Sequence, residues 1–413
     1  MSGAKPQTSG PMRPGTGFDV QRGAQRVHHS ERVQSTFPGD RRGALWPRVA
    51  RVDDAFSTAG LGQQTAGSVP SGRQRTPGAG RTDGGSVGAT GGRHRDGAPR
   101  FDQAVGPGAY IWWYVDAISD DGQYALTIIA FLGSAFSPYY AQALSKRGHA
   151  VDAQNHCAIN VALYGGSSRR WTMTERGLGS LERSAEHFQI GPSSLRWTGG
   201  CLEIDLNEVS VPIPRRVRGR VRVYPDALCN YVSALDDQGR HRWGPIAPCA
   251  RIEVDFSKPG LQWKGNAYLD SNEGDEPISG PFKTWDWSRA RMADGSTAVI
   301  YDVMQTNGAH TLLAERFKPD GSWSSFDAAP LREKLPPTLW RIDRGTRTSK
   351  DELQGGKNSI LETLEDTPFY ARSLLQTNLL GERVTAVHET LQPQRLKRLP
   401  VRLMLPWRMP RRA

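Results

Sequence analysis

Residues 263–277, WKGNAYLDSNEGDEP, gather four carboxylates and two amide side chains behind Trp263 and Tyr268. Oxygen donors at this density could bind calcium, cap a turn or carry a proton. A calcium loop of the form D-x-[DN]-x-[DN]-G is broken here, because Gly274 stands where an oxygen ligand belongs and Asp275 where glycine belongs. Two readings remain. Asp270 or Asn272 can cap an Asx-type turn. If the segment is extended instead, Tyr268 and Asp270 are two apart and face one side, which could be a barrel interior. An acid held there against aromatic rings would have its charged form disfavoured by desolvation and could stay protonated near neutral pH.

Other chemical signatures are weak. Gly84-Gly85-Ser86-Val87-Gly88 matches the G-x-S-x-G nucleophile elbow by letter, but it lies in low-complexity sequence with no strand before it and no helix after it. Phosphate-loop, dinucleotide-fingerprint and H-E-x-x-H patterns are absent. His156 sits in the apolar run NHCAINVALYG and reads as a core histidine rather than a ligand. Cys157, Cys201, Cys229 and Cys249 form no C-x-x-C half-site and are expected as buried thiols of a reducing compartment. Neither a metal nor a cofactor is expected. Aromatic residues cluster at Tyr110-Ile111-Trp112-Trp113-Tyr114, Tyr139-Tyr140, Trp171, Trp243 and Trp285-Asp286-Trp287. Most such rings fill cores, yet a cavity walled by indole and phenol faces would also stabilise a carbocation. Trp112, Trp113, Tyr114, Trp285 and Trp287 are therefore the candidates for substrate contact.

The elements that must position these residues read as antiparallel strands. Residues 111–118 and 124–132 flank Asp120-Asp121-Gly122; Asp294-Gly295 and Asp320-Gly321 punctuate two further pairs of runs, and Asp-Gly supplies the positive φ of tight hairpins. Leu202, Ile204 and Leu206, then Ile252, Val254 and Phe256, alternate with polar neighbours, as half-buried strands do. The spacing predicts an all-β protein with two barrel-like or sandwich-like units, 105–258 and 259–390. Residues 1–104, rich in Gly and Arg, predict a disordered arm; an RNA-binding or tethering role is weighed against a dispensable segment, and the latter is favoured. Residues 391–413 form a basic, apolar tail.

The net charge of +11 over 413 residues is concentrated at the ends. Residues 1–100 carry 15 basic and 7 acidic side chains and residues 391–413 carry 7 and none, which leaves 31 against 35 between. A nucleic-acid partner is therefore not indicated. The longest apolar run, residues 124–136, is too short to span a bilayer, and a secretory signal is not expected.

At WWYVDAISDDGQYALTIIAFLGSAFSPYY, NHCAINVALYG, RWTMTERG, HRWGPIAP, GNAYLDSNEGDEPI, TWDWSRARMADGSTAVIYDV, PFYARSLLQTNLLG, AVHETL and LPWRMPR the sequence resembles the acyclic carotenoid 1,2-hydratases, or hydroxyneurosporene synthases, of phototrophic bacteria. Residues 1–104 find no counterpart in that resemblance. It implies tandem lipocalin-like β domains and cofactor-independent addition of water to the terminal C1–C2 double bond of acyclic carotenes such as neurosporene and lycopene. It also implies Asp270 as proton donor with Trp243 and Tyr268 as aromatic partners. Glu273, Asn272 or Asp275 could hold the water. Such a protein would work in the cytoplasm, peripherally on the inner or photosynthetic membrane. The tail, with basic residues among Leu, Met and Trp, suits an anionic membrane surface; its prolines argue against one clean helix, and packing on the barrel is the alternative. A non-catalytic carrier of a carotenoid or another isoprenoid is the competing function. Oligomeric state is left open.

Overall fold

The structure is a computed structural model that describes residues 96–350 and 357–412. The G-x-S-x-G match and most of the expected arm lie outside them. The three Asp-Gly hairpins form as expected, with Gly122, Gly295 and Gly321 at φ of 66°, 84° and 84°. These turns order the described chain into two large antiparallel sheets, and the all-β expectation holds.

In the first sheet the strand Tyr110–Ser119 lies between Ala125–Leu132 and Leu261–Gly274, and the latter pairs on its other side with His241–Lys258. Leu202–Val209 and Arg216–Pro225 extend the sheet beyond His241–Lys258. The sheet curls until Arg170–Arg176 touches Leu202–Val209, enclosing a core of aliphatic side chains around Trp113. The second sheet runs from Ser359–Asp366 through Tyr370–Leu379, Glu382–Leu391 and Phe282–Arg291 to Thr297–Gln305, His310–Phe317 and Trp323–Ser325. Its inner face packs against the outer face of the first sheet, and this aromatic-rich layer holds the site.

Two expected boundaries shift. The first sheet extends to Gly274 rather than ending at 258, because residues 258–261 are a hairpin tip and not a linker: Gly260, at φ 87°, turns the chain straight into Leu261–Gly274. Nor does the ordered chain wait for residue 105. Phe101 is fully buried, with its ring 4.8 Å from that of Trp113 and 6.3 Å from that of Phe188. Its backbone is tied down too, the N–H donating to Ala185 O at 3.0 Å and the carbonyl accepting from the Arg183 side chain at 2.9 Å.

The tail packs on the protein and is helical over Leu399–Arg408 despite its prolines. Pro400 falls in the first turn, where no intrahelical partner is needed for its missing N–H, and only Pro406 removes an internal hydrogen bond. Beyond the helix, Arg411–Arg412 pairs in parallel with Arg170–Arg176, and Arg411 joins His156 at the buried Glu175 carboxylate.

Phe101→Ala should lower stability by about 3–5 kcal/mol, the usual range for emptying a buried phenylalanine site. A denaturant midpoint equal to that of the unaltered protein would show that residues 96–104 are not part of the first core.

Candidate active site

The site begins with strand register. Within Leu261–Gly274, continuous strand replaces the Asx turn, so Tyr268, Asp270 and Asn272 share one face. That face is not the interior of the curled first sheet, as the barrel reading had it, but the layer clasped between the two sheets. The same alternation sorts the neighbouring strand: Trp112 and Tyr114 point into this layer, while Trp113 points into the other core with Phe101 and Phe188.

Between the sheets lies a cavity lined by residues of both. Its deep end is formed by Asp270, Asn272, Tyr114, Trp285, Trp287 and Tyr301, all buried. Towards the mouth the lining becomes more apolar, with the half-buried Ile129, Phe136 and Trp171 beside the buried Phe369, Leu391 and Met409. Of the five expected contact residues, Trp112, Tyr114, Trp285 and Trp287 line the cavity and Trp113 does not.

Asp270 is held from behind. Trp243, one strand away, donates its Nε1–H to Oδ2 at 2.8 Å, and the Tyr268 hydroxyl donates to the same oxygen at 3.0 Å. Neither ring lines the cavity, so both act on the acid through hydrogen bonds rather than by facing a ligand. Oδ1 has no hydrogen-bond partner among the described residues. With both donors on Oδ2, the acid proton belongs on Oδ1. Burial pushes the Asp270 carboxyl up to about 8; the two donors oppose the rise, and the charges of Glu389 and Asp116 add to it. The group is thus a neutral acid at pH 7.

Opposite it stands a buried ionic cluster that the sequence reading missed. Tyr114 OH lies 2.9 Å from Asp116 and 2.7 Å from Glu389. Arg289 pairs with Asp116, and Arg372 pairs with Glu389 at 2.8 Å and Glu365 at 3.2 Å. Arg372 and Glu389 stand in the motifs PFYARS and AVHETL, but spacing alone could not bring strands a whole hairpin apart to the Asp270 cavity. Of the three candidates for holding water, only Asn272 faces the cavity; Glu273 and Asp275 pair with Arg242 at 2.6 and 2.8 Å. Trp287 Nε1 and the Tyr370 hydroxyl, both on lining residues, are buried with no partner among the described residues.

A protonated carboxylic acid with a free donor oxygen, set at the end of an aromatic pocket, is the equipment of an acid catalyst acting on an apolar substrate. The family model for "Carotenoid hydratase CrtC" matches residues 128–413. An acyclic carotenoid 1,2-hydratase of Rubrivivax gelatinosus is 58% identical over 381 residues, covering 92% of this chain and 93% of the relative. One of Thiocapsa roseopersicina is 50% identical over 388 residues (94% and 94%), and one of Rhodobacter capsulatus 37% identical over 287 residues (69% and 98%). The chain belongs to the carotenoid hydratase family. The first two alignments also correct the view that residues 1–104 have no counterpart, since at most a few dozen residues of this chain stay unmatched. The third relative is matched almost whole without room for that arm.

Activity that depends on neutral Asp270 should be flat at acid pH and fall as pH rises through about 8. Trp243→Phe removes a donor that favours the carboxylate, so the alkaline limb should move to higher pH. A pH–rate profile of the detergent-solubilised reaction reads both; an unmoved limb in the variant would show that Trp243 acts by its ring alone.

Proposed function

We propose that this chain hydrates the terminal C1–C2 double bond of acyclic carotenes such as neurosporene and lycopene, with Asp270 as the acid. What carries the assignment is the unpartnered Oδ1 of a carboxyl that burial keeps protonated at the end of an aromatic cavity. The isopropylidene end of the carotene enters with C2 towards Oδ1. The alkene π pair takes the Asp270 proton to form the new C2–H bond, leaving a tertiary cation at C1 and a carboxylate on Asp270. Trp243 and Tyr268 already donate to Oδ2, so the nascent carboxylate is received by hydrogen bonds made beforehand.

The cation is faced by Trp112, Tyr114, Trp285, Trp287 and Tyr301, ring faces that each contribute about 2 kcal/mol when desolvated. A water held between the Trp287 N–H and the Asn272 side chain then bonds through its oxygen to C1. The proton it loses returns to Asp270, and the acid is restored. Water control matters here because a cation left in a dry pocket loses a proton and reverts to alkene.

A C40 polyene is supplied from a bilayer, so the enzyme works as a peripheral protein at the inner or photosynthetic membrane. Cys157, Cys201 and Cys249 as free thiols suit its cytoplasmic side. No helix among the described residues is long and apolar enough to cross a membrane.

Incubation with lycopene in detergent, followed by chromatography and mass analysis, should give a product heavier by one water. Asp270→Asn should lower turnover at least about a hundredfold, the scale of a lost general acid. Trp287→Phe, which keeps the ring face but loses the N–H, should lower it about five- to tenfold, the worth of one hydrogen bond. Substantial turnover by Asp270→Asn removes Asp270 from the mechanism; a wild-type protein that binds lycopene unchanged is a carrier.

A further inference from the structure

Exposed apolar side chains border the cavity mouth on two separate elements. Along Leu399–Arg408, Leu399, Leu403 and Trp407 recur every fourth residue and so share one helix face; they are 65%, 64% and 78% exposed, with Met404 beside them. Val401, Leu405 and Met409 are buried against the protein, and Met409 lines the cavity. The second element is the loop that carries Leu339, 90% exposed, and Trp340. Arg395, in the short turn Pro393–Lys397 that leads into the helix, links this segment to the loop, donating to the carbonyls of Trp340 at 2.8 Å and Pro368 at 3.1 Å. Thr367 and Phe369, on either side of Pro368, line the cavity. From the helix, the Arg408 guanidinium stacks 4.1 Å over the ring of Trp171, another lining residue.

Single exposed apolar residues are ordinary, but four together on one helix and two on a loop latched to the turn before it form a patch that asks for a partner. Charge says which kind. Lys397, Arg398, Arg402 and Arg412 are exposed around the patch, and residues 391–413 contain no acid. Leucine and tryptophan at the acyl boundary with cations at the headgroups is the pattern of a protein lying on an anionic bilayer.

We infer that this rim docks the protein on an anionic phospholipid bilayer with the cavity mouth towards the acyl chains. Its purpose, delivery of a carotene end to Asp270, rests on the hydration proposed above; the docking itself does not.

Full-length protein is sedimented with phosphatidylcholine vesicles with and without phosphatidylglycerol, at low and high salt. Binding should favour the anionic vesicles and weaken with salt, each exposed cation strengthening it about fivefold. Leu403→Glu with Trp407→Glu, and Leu339→Glu with Trp340→Glu, should each lower partitioning at least about tenfold without moving the thermal midpoint. Hydration of lycopene supplied in vesicles should fall in step, while hydration in detergent micelles stays at the wild-type rate. Wild-type partitioning by either double variant, or equal binding of the unaltered protein to neutral and anionic vesicles, overturns the docking surface. Selective binding to anionic vesicles without hydration in either format leaves the docking standing and removes the hydration.

Discussion

The site depends on keeping one carboxylic acid neutral at a pH where carboxylic acids are normally charged. Two opposed effects set that state. Desolvation of Asp270 between the sheets disfavours the anion, and hydrogen bonds from Trp243 and Tyr268 favour it. Burial wins by enough to protonate the group near neutrality, and the donors limit its victory. An acid lifted much further would give up its proton too reluctantly to serve as a catalyst. The balance requires an exact strand register: one step of slip in Leu261–Gly274 would turn Asp270 into the aliphatic core with Trp113 and bring Leu269 to the cavity.

The ionic cluster on the facing side fits the same requirement. Asp116 is paired with Arg289, and Glu365 and Glu389 with Arg372. The charges of Glu389 and Asp116 help hold the proton on Asp270, and in the proposed reaction the same field would also stabilise a cation formed at C1. Its cost falls on the protein, since buried carboxylates need partners, and the Arg372 guanidinium, packed near the rings of Tyr114, Tyr164 and Tyr370, supplies them without opening the cavity to water.

Local chemistry was legible in the sequence, and assembly was not. The Asp-Gly hairpins, the alternating strands and the pairing of Tyr268 with Asp270 follow from turn stereochemistry and a period of two. The same period separates Trp112 and Tyr114 from Trp113, so the three could not share one cavity; which face of the strand holds the cavity depends on how the sheet is covered. Each face of the first sheet is apolar, and sequence does not distinguish an enclosed core from a face awaiting a second sheet. Phe101 escaped notice because one aromatic residue at the edge of a Gly/Arg-rich run has no periodic neighbours to mark it. Glu389 and Arg372 meet Tyr114 only through contacts between sheets, at sequence separations that no local pattern records.

The tail ties the cavity to the surface. A ten-residue helix with an internal proline is not stable by itself, so its position is fixed by Val401, Leu405 and Met409, by Arg408 on Trp171 and by the Arg411 contact with Glu175. Met409 and Trp171 are also cavity walls. The contacts that hold the helix in place are thus contacts that shape the mouth, and its outer face is left free to be apolar without weakening the fold. Anything that moves this helix must change the opening through which a long apolar chain would reach Asp270.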